Sequence, residues 1–189
     1  TTLHTFADAS EVGYGVACYV RQVNKSGDVS VSMIMGKSRV SPIGAVSIPR
    51  LELTAAVVAA KVSTLTNGEL GFSMSDNQFW SDSKIVLGYI SNEEKRFRVF
   101  VANRSQIIRE LTLIQNWHYT HTDDNPADDA SRGLEGDDPK VDRWFNGPMK
   151  LREAEESWEG AEETFEVRED DPEVKKVIKV HTVSTTHDL

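Results

Sequence analysis

Four carboxylates in this sequence stand at expected strand or helix ends: Asp8 in "FADAS", Glu52 in "PRLELTAA", Asp82 in "WSDS" and Asp128 in "DDNPAD". Each has an ordinary explanation. Asp8 suits a strand-end cap for the "AS" turn. Glu52 falls in the first turns of a helix opened by Pro49, where the helix dipole favours a negative charge. Asp82 or Ser83 suits the N-cap of the helix after a short strand. In "DDNPAD", Asn125 is a good N-cap and Pro126 suits the first helical position, which places Asp128 at the third. Asp123 and Asp124 then belong to the preceding loop, and Asp129 follows around the helix and points elsewhere. The set says more than its members. A strand Asp among apolar and small neighbours is costly to bury unless it is paired or binds a cation. Four acids around one sheet end can build an oxygen-rich cage for hard divalent ions. Two Mg²⁺ ions about 4 Å apart can activate a water and stabilise the leaving oxygen of an in-line phosphodiester displacement, which is nuclease chemistry.

The elements that must position these acids follow from periodicity. "LHTFADAS" alternates as a half-buried strand, and "YGVACYVRQV" and "VSVSMIMGKSRV" follow as β-branched runs with a hairpin signal, "NKSGD", between them. "SIPRLELTAAVVAAKVSTL" reads as a largely buried helix, followed by a polar loop over 67–78. "QFWSDSKIVLGYI" gives a strand and a helix, "RFRVFVANRSQIIRELTLI" an amphipathic helix, "NWHYTHT" a strand and "NPADDASR" a short helix. The fold class is α/β, a mixed five-stranded sheet flanked by helices. Trp80 and Trp117 are expected on central strands as core, Trp144 as a C-terminal closure, and His118 as structural.

Charge divides unevenly. Residues 1–150 hold 16 Lys and Arg against 18 Asp and Glu, whereas 151–189 hold 5 against 12, so most of the net −9 lies in the tail. The expectation is a domain over 1–150 and an acidic, flexible linker over 151–189 leading toward a following module. "VKKVIKVHTV" is either an added strand or the start of that module. Cys18, the single cysteine, excludes an intrachain disulfide framework and reads as core in a reducing compartment. No run reaches the length of a membrane span. The N-terminus lacks a signal pattern and enters a strand at once, as expected of a piece of a longer polypeptide.

The motifs "FADAS", "KSRVSPIGAVSIPRLELTAA", "WSDSKIVLGYI", "FVANR", "DNPADDASRG" and "WFNGPMKL", in this order over about residues 3–151, resemble the RNase H domain of Bel/Pao-type LTR retrotransposon polyproteins, within the ribonuclease H superfamily. The resemblance implies an RNase H-like fold with Asp8, Glu52, Asp82 and Asp128 as the catalytic, metal-binding set. It implies two Mg²⁺ ions, with Mn²⁺ as a substitute. It also implies hydrolysis of the RNA strand of RNA-DNA hybrids during reverse transcription, leaving a 3'-hydroxyl and a 5'-phosphate. Adjacent reverse transcriptase and integrase domains are the implied partners. The setting is intracellular, in the cytoplasm, in virus-like particles or in the nucleus. Many relatives carry a mobile histidine before the last acid; His121 stands seven residues before Asp128, with an ordinary strand-end histidine as the alternative.

Substrate contact falls on "EKRFRVFVANR", whose Lys95, Arg96, Arg98 and Arg104 with Phe97 and Phe100 suit phosphate contact with apolar anchoring. Ser10, Ser83 and Asn103 are further hydrogen-bonding candidates, and Lys37 and Arg39 weaker cationic ones. A catalytically silent RNase H-like module, or a co-opted host domain that binds nucleic acid or protein, are the alternatives.

Overall fold

Three consecutive antiparallel strands, β1 (Thr2–Ala9), β2 (Gly13–Val23) and β3 (Val29–Val40), open the chain in the computed structural model, which describes residues 1–44, 46–155, 158 and 164–176. There follow α1 (Ile48–Leu70), β4 (Asn77–Ser81), α2 (Lys84–Ser91), α3 (Val99–Leu111), β5 (Trp117–Tyr119), α4 (Ala127–Arg132) and α5 (Val141–Asn146). The sheet order is β3-β2-β1-β4-β5, with β4 parallel to both β1 and β5. Parallel neighbours need crossovers. Here α1 supplies the connection before β4, and α2 with α3 the one before β5.

Two apolar layers sandwich the sheet. Leu3, Ala7, Val16 and Cys18 pack with Leu53, Ala56 and Ala60 of α1, whereas Phe6, Ala17, Tyr19 and Trp80 pack with Ala127 and Leu151. β1 is therefore buried on both faces rather than one, which corrects the half-buried expectation. Its inward polar groups are paired, as burial demands: His4 Nδ1 accepts from Trp80 Nε1 at 3.1 Å, and Thr5 Oγ1 lies 3.5 Å from Cys18 Sγ. Burial first, then the Arg21 charge, pushes the His4 imidazole down to about 3.

Three further expectations are corrected. The polar loop over 67–78 begins later, because α1 continues through Asn67 and Gly68 to Leu70 and is closed by Gly71 at φ 76°, whose N–H reaches Asn67 O. Trp117 lies on an edge strand rather than a central one. It is buried nonetheless, since its ring stacks on Phe79 at 4.7 Å and its Nε1 donates to Thr112 Oγ1 at 2.9 Å.

The third concerns the acidic linker. Its described parts dock on the body. Leu151 is buried, and Arg21 binds Leu151 O at 2.8 Å and Glu155 Oε1 at 2.7 Å. Further on, Val174 bridges Phe97, Arg98 N–H reaches Glu173 O at 2.7 Å, and Lys175 N–H reaches Arg96 O at 2.8 Å. The Glu173 carboxylate meets Arg50 at 2.6 Å, and Tyr89 Oη donates to Asp171. Charge counted along the chain hides these cations and donors, which lie far away in sequence. Of "VKKVIKVHTV", residues 177–183 lie outside the described residues. Among the described residues no helix is long and apolar enough to cross a membrane.

Candidate active site

The site is built where β1 and β4 end side by side. Ala7 pairs with Ser81, so Asp8 and Asp82 leave neighbouring parallel strands at the same level. α4 covers this end from the other face, and a glycine sets how closely. A Cβ on Gly15, the partner of Asp8 on β2, would fall 2.5 Å from Ala130 Cβ, so only glycine lets α4 approach the sheet here. That helix starts at Ala127 with Pro126 at its N-cap, one residue later than expected, so Asp128 is its second residue rather than its third. Asn125 still supports the start, its Oδ1 accepting from Ala127 N–H at 3.1 Å and its carbonyl from Asp128 N–H at 3.1 Å. Its Nδ2 also donates to Ala7 O at 3.1 Å and to Asp82 Oδ1 at 3.3 Å. One side chain thus ties α4 to both strands.

Asp8 is buried, and Ser131 Oγ donates to its Oδ2 at 2.5 Å. Burial lifts its carboxyl to about 7 against the Ser131 hydrogen bond, with the charges of Asp82, Asp128 and Glu52 adding to the rise. Glu52 is lifted to about 7 by burial, with a hydrogen bond from Ser83 opposing and the Asp82 charge adding. Asp82 Oδ2 accepts from Thr122 Oγ1 at 2.7 Å. Asp128 Oδ1 lies 2.5 Å from Arg132 Nε, four residues on, and its Oδ2 3.8 Å from Lys140 Nζ. The four acids therefore act on one another from four separate elements.

Repulsion and ligation have different reach. Charges act across several ångströms in a partly buried site, whereas an ion needs its oxygens at about 2.0–2.6 Å. As the side chains stand, no three His, Cys, Asp or Glu among the described residues form a group that could hold one metal ion. The donor chemistry nevertheless fits a hard divalent cation. The acids are oxygen-only and crowded, and two have carboxyls lifted by burial and neighbouring charge, a load that a cation would relieve. Arg132 is the local substitute, and with its side chain 61% exposed it can be exchanged at small cost.

Asp129 goes elsewhere, as its place on the helix implies. Its carboxylate has no exposed side-chain surface and is gripped by Arg143 at 2.7 and 2.8 Å and by Lys140 at 3.4 Å. Sequence reading missed Ser131, Thr122, Arg132 and this clamp. Only Arg132 left a signal, its i,i+4 spacing from Asp128.

The remaining candidates scatter. Ser10 Oγ donates to Ser131 O at 3.0 Å and to Gly13 O at 3.3 Å, which shapes the β1–β2 turn. Ser83 caps α2, accepting from Val86 N–H at 3.4 Å. Lys95 Nζ donates to Val167 O of the docked tail, and Arg96 borders a cleft shared with Glu94 and Glu169. Asn103 and Arg104 line a different groove together with Lys37 and Arg39. The "EKRFRVFVANR" cluster is thus divided, because Lys95 and Arg96 lie in the loop before α3, beside the docked tail, whereas Asn103 and Arg104 lie on the helix. His121 is 64% exposed at its side chain, with Nδ1 3.4 Å from Asp123 Oδ2. It adjoins Thr122, the partner of Asp82. His118 is structural: Nε2 meets Gln78 at 2.6 Å, and burial, then Lys150, pushes its ring down to about 4. Trp144 closes the second apolar layer over Gly36, and its carbonyl accepts from Tyr19 Oη at 2.8 Å.

Residues 1–83 match the family model described as Pao retrotransposon-like RNaseH-like domain, a shorter span than the motifs suggested. No curated protein matches the chain at a significant level. Among solved structures, the N-terminal RNase H domain of rv2228c from Mycobacterium tuberculosis is similar at 15% identity and TM-score 0.49, over 70% of this chain and 95% of that one. RNase H1 from the archaeon Halobacterium salinarum is similar at 19% identity and TM-score 0.43, over 65% and 86%. LC11-RNase H1, solved in complex with an RNA/DNA hybrid, is similar at 14% identity and TM-score 0.43, over 68% and 91%. The matched segment contains Asp8, Glu52 and Asp82 and ends just after β4, so the similarity to the Pao retrotransposon-like RNaseH-like domain covers the part of the chain from β1 to the loop before α2.

Proposed function

We propose that this domain is a metal-dependent endonuclease that hydrolyses the RNA strand of RNA-DNA hybrids during retroelement reverse transcription. The observation that carries the reading is that β1 and β4 bring Asp8 and Asp82 out at one level, where Ser131 donates to Asp8 and Asn125 to Asp82, with the charges of Asp82, Asp128 and Glu52 adding to the lift of the Asp8 carboxyl. Asp8, Glu52, Asp82 and Asp128 would hold two Mg²⁺, with Mn²⁺ as a substitute. Those ions, when bound, supply an activated water and charge relief at the leaving oxygen. The chain's own residues prepare the site. Ser131 aims Asp8, Thr122 and Asn125 aim Asp82, and Ser83 faces Glu52. Arg132 holds Asp128 in an ion pair until it is exchanged, and Gly15 sets how close α4 lies to β2. His121 stands exposed beside Thr122, the partner of Asp82. The reading also places the domain inside the cell, between a reverse transcriptase and an integrase of one polyprotein.

The Arg132–Asp128 pair also suits a second reading, a silent RNase H-like module or co-opted binding domain in which that pair is permanent. One assay separates them. With an end-labelled RNA-DNA hybrid and Mg²⁺, the parent is expected to cut the RNA strand, leaving a 3'-hydroxyl. Asp82→Asn, which keeps the hydrogen bond from Thr122, is expected to be slower by about two orders of magnitude or more. No metal-dependent cutting by the parent, or equal cutting by both, favours the silent module.

A further inference from the structure

One concave surface has no part in the site above. It is a groove of about 660 Å³ floored by α1 and walled by β3 on one side and α3 on the other. Thr54, Val58, Lys61 and Leu65 recur at spacings of four, three and four, so they form one stripe of α1. Glu52 is nine residues from Lys61, about two and a half helical turns, and so looks out from the opposite flank. The groove and the acid cluster are separate surfaces of the same helix.

Its lining is unusual for this chain. The floor and walls are aliphatic, through Met35, Val57, Val58, Val62, Leu65 and Ile107, and Leu65 is 55% exposed. Lys37, Arg39, Lys61 and Arg104 rim it, and no Asp or Glu lines it, in a chain with 30 acidic residues against 21 basic ones. Lys37 and Arg39 alternate with Met35 on one face of β3, and Arg104 is braced by Phe100 at 3.5 Å and Thr54 Oγ1 at 3.3 Å.

The aliphatic floor decides between anionic partners. A phosphodiester backbone gains nothing from exposed Val, Leu and Met, and base stacking wants aromatic rings, of which the groove has only Tyr14. An amphipathic helix with acidic flanks uses both the floor and the rim. The stripe from Thr54 to Leu65 runs about 16 Å, enough for three turns of a partner helix.

We propose that this groove receives an acidic amphipathic helix of a partner polypeptide. Its apolar face lies on Met35, Val58 and Leu65, and its carboxylates meet Lys37, Arg39, Lys61 and Arg104. The proposal does not depend on nuclease activity.

The test titrates a fluorescein-labelled, stapled helical peptide, Leu on one face and Glu on the other, into the ¹⁵N-labelled full chain. A peptide of the same composition with its faces scrambled serves as control, and a labelled RNA-DNA hybrid in chelator as competitor class. Saturable binding is expected, with amide shifts confined to residues 35–39, 54–65 and 103–107, and the scrambled peptide binding more weakly. The double variant K37E/K61E, at exposed positions, should bind at least about tenfold more weakly with an unchanged melting temperature. Absence of saturable binding, shifts elsewhere, or an affinity indifferent to charge reversal overturns the proposal. So does a result in which K37E/K61E weakens hybrid binding and leaves peptide binding unchanged.

Discussion

Acidic side chains gather in two regions of this molecule and meet opposite conditions. At the sheet end, Asp8 feels the charges of Asp82, Asp128 and Glu52, Glu52 feels that of Asp82, and burial with these charges lifts Asp8 and Glu52 to about 7. On α4's far side and along the docked tail, four acids meet donors from other parts of the chain: Asp129 with Arg143 and Lys140, Glu155 with Arg21, Glu173 with Arg50, Asp171 with Tyr89. Asp128 and Asp129 are chain neighbours that differ in how they are held, Asp128 chiefly by the exposed Arg132 and Asp129 by Arg143 and Lys140 with no exposed side-chain surface. Acids that hold the fold are matched, and the four acids proposed for chemistry are crowded at a cost to stability.

The contrast breaks most sharply at the clamp. Arg143→Ala leaves the Asp129 carboxylate buried with only Lys140 at 3.4 Å, and is expected to cost about 3–5 kcal/mol in chemical denaturation. A loss under about 1 kcal/mol would mean that Lys140 suffices.

Next comes pH, where the two kinds of buried group pull in opposite directions. His4 has its folded pKa depressed to about 3, so its contribution is present above its ordinary 6.5 and is lost as pH falls toward 3. The loss is about 1.4 kcal/mol per pH unit in that window. Asp8 and Glu52 have raised folded values. Their contribution is full below the ordinary carboxylate range and is lost as pH rises through about 7. Replacing His4 by Asn should therefore uncover a domain that gains stability as pH drops from 8 to 5, read by thermal melts in chelator. A flat curve would count against the crowding.

The smallest effect lies at the tail. Tyr89→Phe removes the hydroxyl that donates to Asp171 at 2.9 and 3.0 Å, and should cost about 1 kcal/mol with protease cleavage advancing first near residue 171. Unchanged stability and proteolysis would show that the tail docks without this contact.

Much of the fold was legible because it is written locally. β3 matches its β-branched run, α1 starts at the Pro49 signal, and the Asn125–Pro126 pair starts α4. The places of the proposed acids were legible for the same reason, since Asp8, Asp82 and Asp128 sit near element ends that short motifs define. What stayed hidden is long-range. Ser131 reaches Asp8 across 123 residues and Arg50 reaches Glu173 across 123, and neither pairing leaves a local pattern. The tail misled because composition reports charge and not the neutralising partner. The cationic cluster misled because "EKRFRVFVANR" spans a loop and the start of a helix that border different surfaces, while Lys37, Lys61 and Arg104 converge from three elements.

The central claim is that the crowded acids are kept for a cation and for chemistry at the expense of stability. Asp8→Asn, compared with the parent at pH 8, tests both halves at once. The account predicts that the variant melts higher in chelator, gains less from added Mg²⁺, and loses cleavage of an RNA-DNA hybrid. A variant that melts lower in chelator, or that cuts the hybrid as the parent does, would contradict it.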